Sequence, residues 1–344
     1  MAAPRIKGRY DKRQKCSCVS LVNSLMTQFQ QFLVRLDDLA VLRIHGADAV
    51  QFLQSQLSND IGSLGAGDAR LAAYCNPKGR MLGSMVIFRE HAETPDSLLA
   101  LVKADIAEAL VKRLRMFVLR SKVTLEITNQ SAWGRSGYGP HVLPWQVLHQ
   151  DGLIEISAPS VPDTAARHWL VYPLDADPQQ LSNQLDAPLA ARDAWYAQDI
   201  EAGLGWVEQK NLELFIPQSL NFDLSGGVSF TKGCYPGQEV VARAHFRGAV
   251  KRRALPAHCI VPADVSFEPG QDVYDARAPQ APAGRIINAA RTAHRDAPGA
   301  HHIAWHLLVE VNPAQADAAD LRVVSPDGPA LRTLSLPYSL EAKI

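Results

Sequence analysis

The chain has 344 residues, 47% of them hydrophobic and 20% charged, with 35 Lys/Arg balanced by 35 Asp/Glu. That length suits two or three domains. No apolar run approaches roughly 18 residues, which excludes a helical membrane span. The charge is unevenly placed: the first 25 residues hold six cations (Arg5, Lys7, Arg9, Lys12, Arg13 and Lys15) against Asp11, so the remainder carries 29 basic and 34 acidic residues, a net of −5. An acidic body speaks against a protein that wraps nucleic acid along most of its surface.

The basic head lacks the apolar core of a secretory signal. It is read as a disordered extension over residues 1–28, with Met26 as a candidate true start and a mitochondrial presequence as the other reading. The five cysteines, Cys16, Cys18, Cys75, Cys234 and Cys259, are odd in number and include no C-x-x-C. They support neither a disulfide framework nor a zinc site, and are read as free thiols in a reducing cytoplasm.

In chain order, Leu39–Gly46 alternates as a strand, and Ala49, Phe52, Leu53 and Leu57 then share one helical face. Asn76-Pro77-Lys78-Gly79 fits a type I turn between two apolar runs, a β-hairpin. "SLLALV" reads as a buried strand, and Ile106, Ala109, Leu110, Leu114 and Phe117 recur at helical spacing before the strand "KVTLEIT". Residues 131–188 are rich in Pro and Gly, with short strands at "GLIEIS" and "HWLVYPL". "LAARDAWYAQDIEAG" follows as a helix capped by Gly203. Beyond Gly248 the pattern becomes short strands between Pro/Gly turns, the mark of a small β-barrel or sandwich. Antiparallel hairpins interleaved with helices indicate α+β layers rather than a doubly wound sheet. The domain boundary is placed near residues 248–251.

The stretch "SFTKGCYPGQEVVARAHFRG", Ser229–Gly248, carries the chemistry. Val228–Phe230 reads as a short strand and Thr231–Gly233 as a turn. Pro236 suits a first helical position, and Gly248 a C-cap. Cys234 then stands just outside a helix N-terminus beside Lys232, where dipole and cation favour the thiolate; the plainer reading is a small buried hydrophobe. Gly233 and Gly237 leave room for a bulky partner, Gln238 and Glu239 occupy the first turn, and Arg243 is spaced to pair with Glu239. Two basic clusters, 111–122 and 231–253, are candidate anion sites; a solvated face is the preferred reading of the first. Trp195 is a candidate stacking wall and Glu201 a candidate acceptor of paired N–H groups. His301, His302 and His306 lack the carboxylate or cysteine company of a metal site, and no metal is expected.

"KGCYPGQEVVAR", Lys232–Arg243, resembles the K-G-C-[YF]-x-G-Q-E signature of the YgfZ family, folate-binding proteins linked to iron–sulfur cluster maintenance and tRNA thiomodification. "LAAYCNPKGRM", "DIEAG" and "LPYSLE" extend the likeness over roughly Leu36 to Glu341. The wider superfamily includes the glycine-cleavage T-protein, an aminomethyltransferase that holds tetrahydrofolate in a central channel. The resemblance implies a T-protein-like folate-binding region over 29–248 and a small β-barrel over 249–344. It implies tetrahydrofolate or another reduced folate as ligand, Trp195 stacking on it, Glu201 reading the pterin, and Cys234 as functional thiol with Lys232 beside it. Gly233, Tyr235, Gly237, Gln238, Glu239 and Arg243 complete the motif. Two departures stand out: Leu39 occupies the place of a second ligand-side tryptophan, and Gly83, followed by Ser84, that of the T-protein's proton-handling aspartate. The implied function is a non-enzymatic accessory factor for iron–sulfur enzymes or assembly proteins, with no membrane and no direct tRNA contact; the alternative is a folate-dependent aminomethyl-type transferase.

Overall fold

The computed structural model describes residues 31–340 apart from 92, 138–142, 151, 163, 249, 294–301 and 317–318. The expected extension over 1–28, with Cys16 and Cys18, and also His301, lie outside these residues.

Three antiparallel sheets meet around one core. The first has the order β1-β7-β10-β9-β8, built from Phe32–Arg35, Gln130–Ser136, Arg167–Pro173, Leu153–Ser157 and Val147–Gln150. The second has the order β3-β4-β5-β2-β6, from Ala69–Cys75, Met81–Arg89, Ser97–Lys103, Leu39–His45 and Thr124–Ile127. Its hairpin β3–β4 turns at Asn76-Pro77-Lys78-Gly79, as expected: the Gly79 N–H donates to the Asn76 carbonyl, and Gly79 takes φ +72°. Strand β4 is buried at every position but its last. The third sheet is a nearly closed six-strand barrel, β15-β12-β13-β14-β11-β16. Its long strands are β11 (Arg253–Pro262), β13 (Gly284–Ala293) and β14 (His302–Val311); β12 (Asp272–Asp275), β15 (Leu321–Val323) and β16 (Arg332–Thr333) are short.

Each face of the first two sheets has its own cover. Helices α1 (Ala49–Gln56) and α2 (Ala104–Arg115) pack on one face of the second sheet. Helix α3 (Pro178–Leu185), capped by the Asp177 side chain on the Gln180 N–H, packs on the outer face of the first. The two inner faces, helix α4 (Arg192–Glu201) and the barrel residues Ala254, Ile287, Ala290 and Leu308 share the largest core. Apolar surface removed from water is worth about 25 cal/mol per Å², so this shared core couples the barrel to both sheets.

Several local expectations change. Helix α2 ends at Arg115, so Phe117 lies beyond it, 44% exposed. The buried stripe is Ile106, Ala107, Leu110, Val111 and Leu114; Ala109 faces solvent. Val228–Phe230 is not a strand: the Ser229 N–H donates to the Ser58 carbonyl and no ladder forms. Pro236 is not the first helical residue, because α5 (Gln238–Phe246) starts two positions later. Nor is Gly248 a left-handed cap; α5 passes into Arg247 at φ −128°.

Candidate functional site

The thiol loop is built by contacts between segments far apart in sequence. After α1, the Ser58 hydroxyl donates to the Gly227 carbonyl at 2.6 Å, and the Asn59 amide donates to that of Gly226 at 2.6 Å. Lys232 then reaches back across the loop. Its ammonium donates to the carbonyls of Gln54 and Leu57, at 2.6 Å for the latter, closing the C-terminal end of α1. It also lies 5.0 Å from the Tyr235 ring centroid. Desolvation lowers its pKa to about 8, opposed by Asp60 and then by Cys234. Lys232 therefore clamps the α1 terminus and also keeps an electrostatic interaction with Cys234, the nearby cation expected beside the thiol.

Tyr235-Pro236-Gly237-Gln238 forms a tight turn, with the Gln238 N–H donating to the Tyr235 carbonyl at 3.2 Å and Gly237 at φ 81°, ψ 0°. Pro at the second and Gly at the third position suit a type II turn. A Cβ on Gly237 would lie 2.5 Å from the Asn76 carbonyl oxygen and 2.8 Å from the Gly79 Cα. Gly237 thus serves the docking of the β3–β4 turn against α5 rather than partner access. The two glycine motifs, unconnected in sequence, form one contact. Gly233 does meet the expectation of open space: a Cβ there would touch nothing within 4 Å. Gln238 makes no side-chain cap, whereas Arg243 pairs with Glu239 at 2.7 Å, both exposed.

Cys234 is exposed, while Cys75 and Cys259 are buried and their thiols pushed up to about 12 by desolvation. The 231–253 basic cluster divides. Arg253 is buried in a bidentate pair with Asp223 at 2.9 and 3.0 Å, Lys232 is clamped and Arg243 is paired, leaving Arg247, Lys251 and Arg252 exposed. It is not one continuous anion-binding face.

A polar cavity of about 130 Å³ lies where the second sheet, α4 and the barrel meet. Lys103 bonds the Asp38 carboxylate at 2.7 Å and sits 3.7 Å over the Tyr196 ring, whose hydroxyl donates to Asp38 at 2.8 Å. Trp206 donates its indole N–H to Asp199 at 3.0 Å; Arg167 donates to the same carboxylate, and both partners are buried. Glu208 and Asn288 complete the rim. Burial pushes the carboxyls of Glu208 and Asp199 up, opposed by Lys103 and by Arg167 respectively.

Trp195 is one helical position from this wall. It is fully buried, with the Arg167 guanidinium 4.1 Å from its ring centroid and Gly134 so close that a Cβ there would lie 2.3 Å from the indole. The aromatic residues that border the cavity are Tyr196 and Trp206. Leu39 is buried in the same core, paired with Lys103 across β2 and β5. Glu201 turns to the barrel, where its carboxylate lies 3.2 Å from His306 Nδ1, so His306 does have carboxylate company. The described residues contain no group of three or more potential metal ligands. Gly83 faces Leu110 and Ile106, and the Ser84 hydroxyl accepts the Val207 N–H at 2.8 Å. Asp199 belongs to the "DIEAG" stretch, but Asp38, Lys103, Tyr196, Trp206 and Glu208 are not singled out by the sequence, because the six converge only in three dimensions.

No family model matches the chain. The structure is similar to the glycine cleavage system aminomethyltransferase T from Bartonella henselae, with a TM-score of 0.65 at 15% identity, covering 92% of this chain and 88% of that one. The fold is therefore that of aminomethyltransferase T. In sequence the chain is 32% identical over 232 residues to the "tRNA-modifying protein YgfZ" of Enterobacter sp. (strain 638), covering 64% of this chain and 69% of the relative. It is likewise 32% identical over 236 residues to the protein of that name from Sodalis glossinidius (strain morsitans), with coverage of 64% and 69%. The chain belongs to the YgfZ family.

Proposed function

We propose that this protein is a folate-binding accessory factor that supports iron–sulfur enzymes in the cytoplasm, including enzymes that methylthiolate tRNA, with Cys234 as its working thiol. The observation that carries the reading is the exposed Cys234 on a loop fixed at both sides, by Lys232 on α1 and by the Gly237–Gly79 contact. Such fixing holds a thiol in one place for a partner and leaves its approach open. The names of the relatives and the aminomethyltransferase T fold support the connection to tRNA modification and to folate.

In this reading the polar cavity receives the pterin. Its carboxylates accept the ring's amino and N–H donors, and Tyr196 and Trp206 border its plane. Trp195 and Leu39 act from the packed layer beneath, and Glu201 acts with His306 at the barrel side. The aminomethyl-transferase alternative lacks a proton acceptor at Gly83 and Ser84, since the serine hydroxyl already holds the Val207 N–H. Calorimetric titration with folinic acid tests the folate assignment. Saturable binding is expected, weakened by about 1–3 kcal/mol in Tyr196→Ala, the range for loss of a stacked aromatic. Absence of binding to the unmodified protein removes the assignment.

A further inference from the structure

The segment that closes α2 and leads to β6, residues 111–122, has no part in the sites above. It holds five cations (Lys112, Arg113, Arg115, Arg120 and Lys122) and no acid. Sequence alone reads them as a solvated face, yet apolar side chains stand among them: Met116, Phe117 and Leu119 are 60%, 44% and 88% exposed. Single surface hydrophobes are ordinary, but contiguous ones mark a contact.

The turn is built to hold these tips outward. The N–H groups of Phe117, Val118 and Ser121 donate to the carbonyls of Leu114, Arg115 and Val118 at 3.0, 3.2 and 2.8 Å, and the Arg115 guanidinium donates to the Leu125 carbonyl of β6. Val118 turns inward and packs on the core beneath α1 and α2. Leu119, next to it, takes φ +45°, a left-handed backbone that leucine rarely adopts. Backbone strain held by its surroundings clusters at working sites.

The surrounding charge says what the tips meet. Lys112, Arg115, Arg120 and Lys122 are exposed, and none has an acidic side chain within ion-pair distance among the described residues. Of the nearby acids, Glu126 pairs with Arg43 at 3.0 Å, Asp48 accepts the Lys122 backbone N–H at 2.7 Å, and Glu108 lies one turn before Lys112. Apolar tips ringed by free cations fit the boundary of an anionic bilayer, where the tips enter the acyl edge and the cations meet the headgroups. RNA would meet the cations but offer Met116 and Leu119 nothing to bury against. A folded acidic partner would need a recess for each tip, whereas a bilayer yields to them. Helix α2 starts next to Lys103, a wall of the polar cavity, and its 12 residues carry the chain about 18 Å along its axis, so such a contact leaves the cavity open.

We propose that residues 112–122 form a peripheral membrane contact: Met116, Phe117 and Leu119 enter an anionic lipid surface, and Lys112, Arg115, Arg120 and Lys122 hold its headgroups. The contact is reversible, crosses nothing, and stands apart from the folate and thiol readings. Cosedimentation of the full chain with vesicles of phosphatidylglycerol and phosphatidylcholine in equal parts, and with vesicles of phosphatidylcholine alone, tests it. Binding is expected to the first and not to the second. Leu119→Asn should weaken that binding about tenfold, through loss of one buried leucine tip. The same variant should keep or raise the urea midpoint, because asparagine suits the left-handed backbone. Arg120→Gln combined with Lys122→Gln should weaken binding about 25-fold, at about fivefold per cation. The basic residues before Gln31 are the same in every variant, so they cannot produce these losses. No binding to the anionic vesicles, or binding that Leu119→Asn or the double glutamine variant leaves undiminished, overturns the proposal. A tRNA transcript that the unmodified protein holds, that Leu119→Asn holds as well and that the double glutamine variant releases, with no vesicle binding, overturns it too and makes the segment an RNA contact.

Discussion

Cys234, Cys75 and Cys259 differ in access, and that difference is measurable. Only the thiolate attacks an alkylating agent. Burial holds Cys75 and Cys259 near 12, whereas Cys234 lies in the open beside Gly233. Iodoacetamide near neutral pH should label Cys234 first, and the other two only after denaturation, as mapped by peptide mass spectrometry. Labelling of Cys75 or Cys259 ahead of Cys234 in the native protein would contradict the placement. The presence of a special cysteine was legible in the sequence, because Lys-Gly-Cys and Pro-Gly are local. The job of Lys232 was not, since its partners are carbonyls 175 and 178 positions away. Trp195 shows the same limit at finer grain. Adjacent helical residues point about 100° apart, from 3.6 residues per turn, so with α4 seated Trp195 lies in the core while its neighbour Tyr196 borders the polar cavity.

At the scale of elements, the β3–β4 turn and the start of α5 act as one unit. Gly237 combines a left-handed φ of 81° with contacts too close for any Cβ, and Gly79 approaches Val240 in the same way. Gly237→Ala should therefore destabilise the protein by about 1–3 kcal/mol, through strain of the turn and crowding of Asn76. It should also raise hydrogen exchange over α5 and the thiol loop, measured by urea unfolding and by exchange mass spectrometry. Unchanged stability would mean the two motifs are not coupled. The elements themselves were largely readable: the hairpin at Asn76–Gly79, the strands of the second sheet and the barrel strands follow from turn residues and alternation. Val228–Phe230 misled because β-branched and aromatic residues also suit an irregular segment, here tied by the Ser229 N–H to the Ser58 carbonyl and preceded by Gly226 and Gly227, whose carbonyls Asn59 and Ser58 hold. The 231–253 basic cluster misled because Arg253 has a buried carboxylate waiting for it in Asp223.

Across the whole molecule, the shared core makes folding of the barrel and the sheets interdependent, and a buried and a half-buried histidine give that folding a pH dependence. Desolvation lowers the pKa of His168, in the first sheet, opposed by Glu155 and aided by Arg135, and lowers that of His258, in the barrel, aided by His306 and Arg332. As pH falls through 6.5, their ordinary value, the unfolded chain takes up protons that the folded chain resists. Stability from these groups is therefore present above that pH and lost below it. The urea midpoint should be lower at about pH 5.5 than at about pH 7.5, and His258→Gln should flatten the difference. A midpoint that rises on acidification would contradict the burial of these side chains. The α+β class and the barrel were foreseeable from element order. The junction cavity was not, because its residues span Asp38 to Ala289 and share no spacing.

The central claim is that Cys234 is the working thiol of an accessory factor for iron–sulfur enzymes. The most direct measurement is the methylthiolated nucleoside content of tRNA from a bacterial host lacking its own member of this family, complemented with this protein or with Cys234→Ser. Equal levels of both folded proteins must be confirmed in the cells. The account predicts that the unmodified protein restores the modification and that Cys234→Ser leaves it near the deletion level. Full restoration by the serine variant would contradict it.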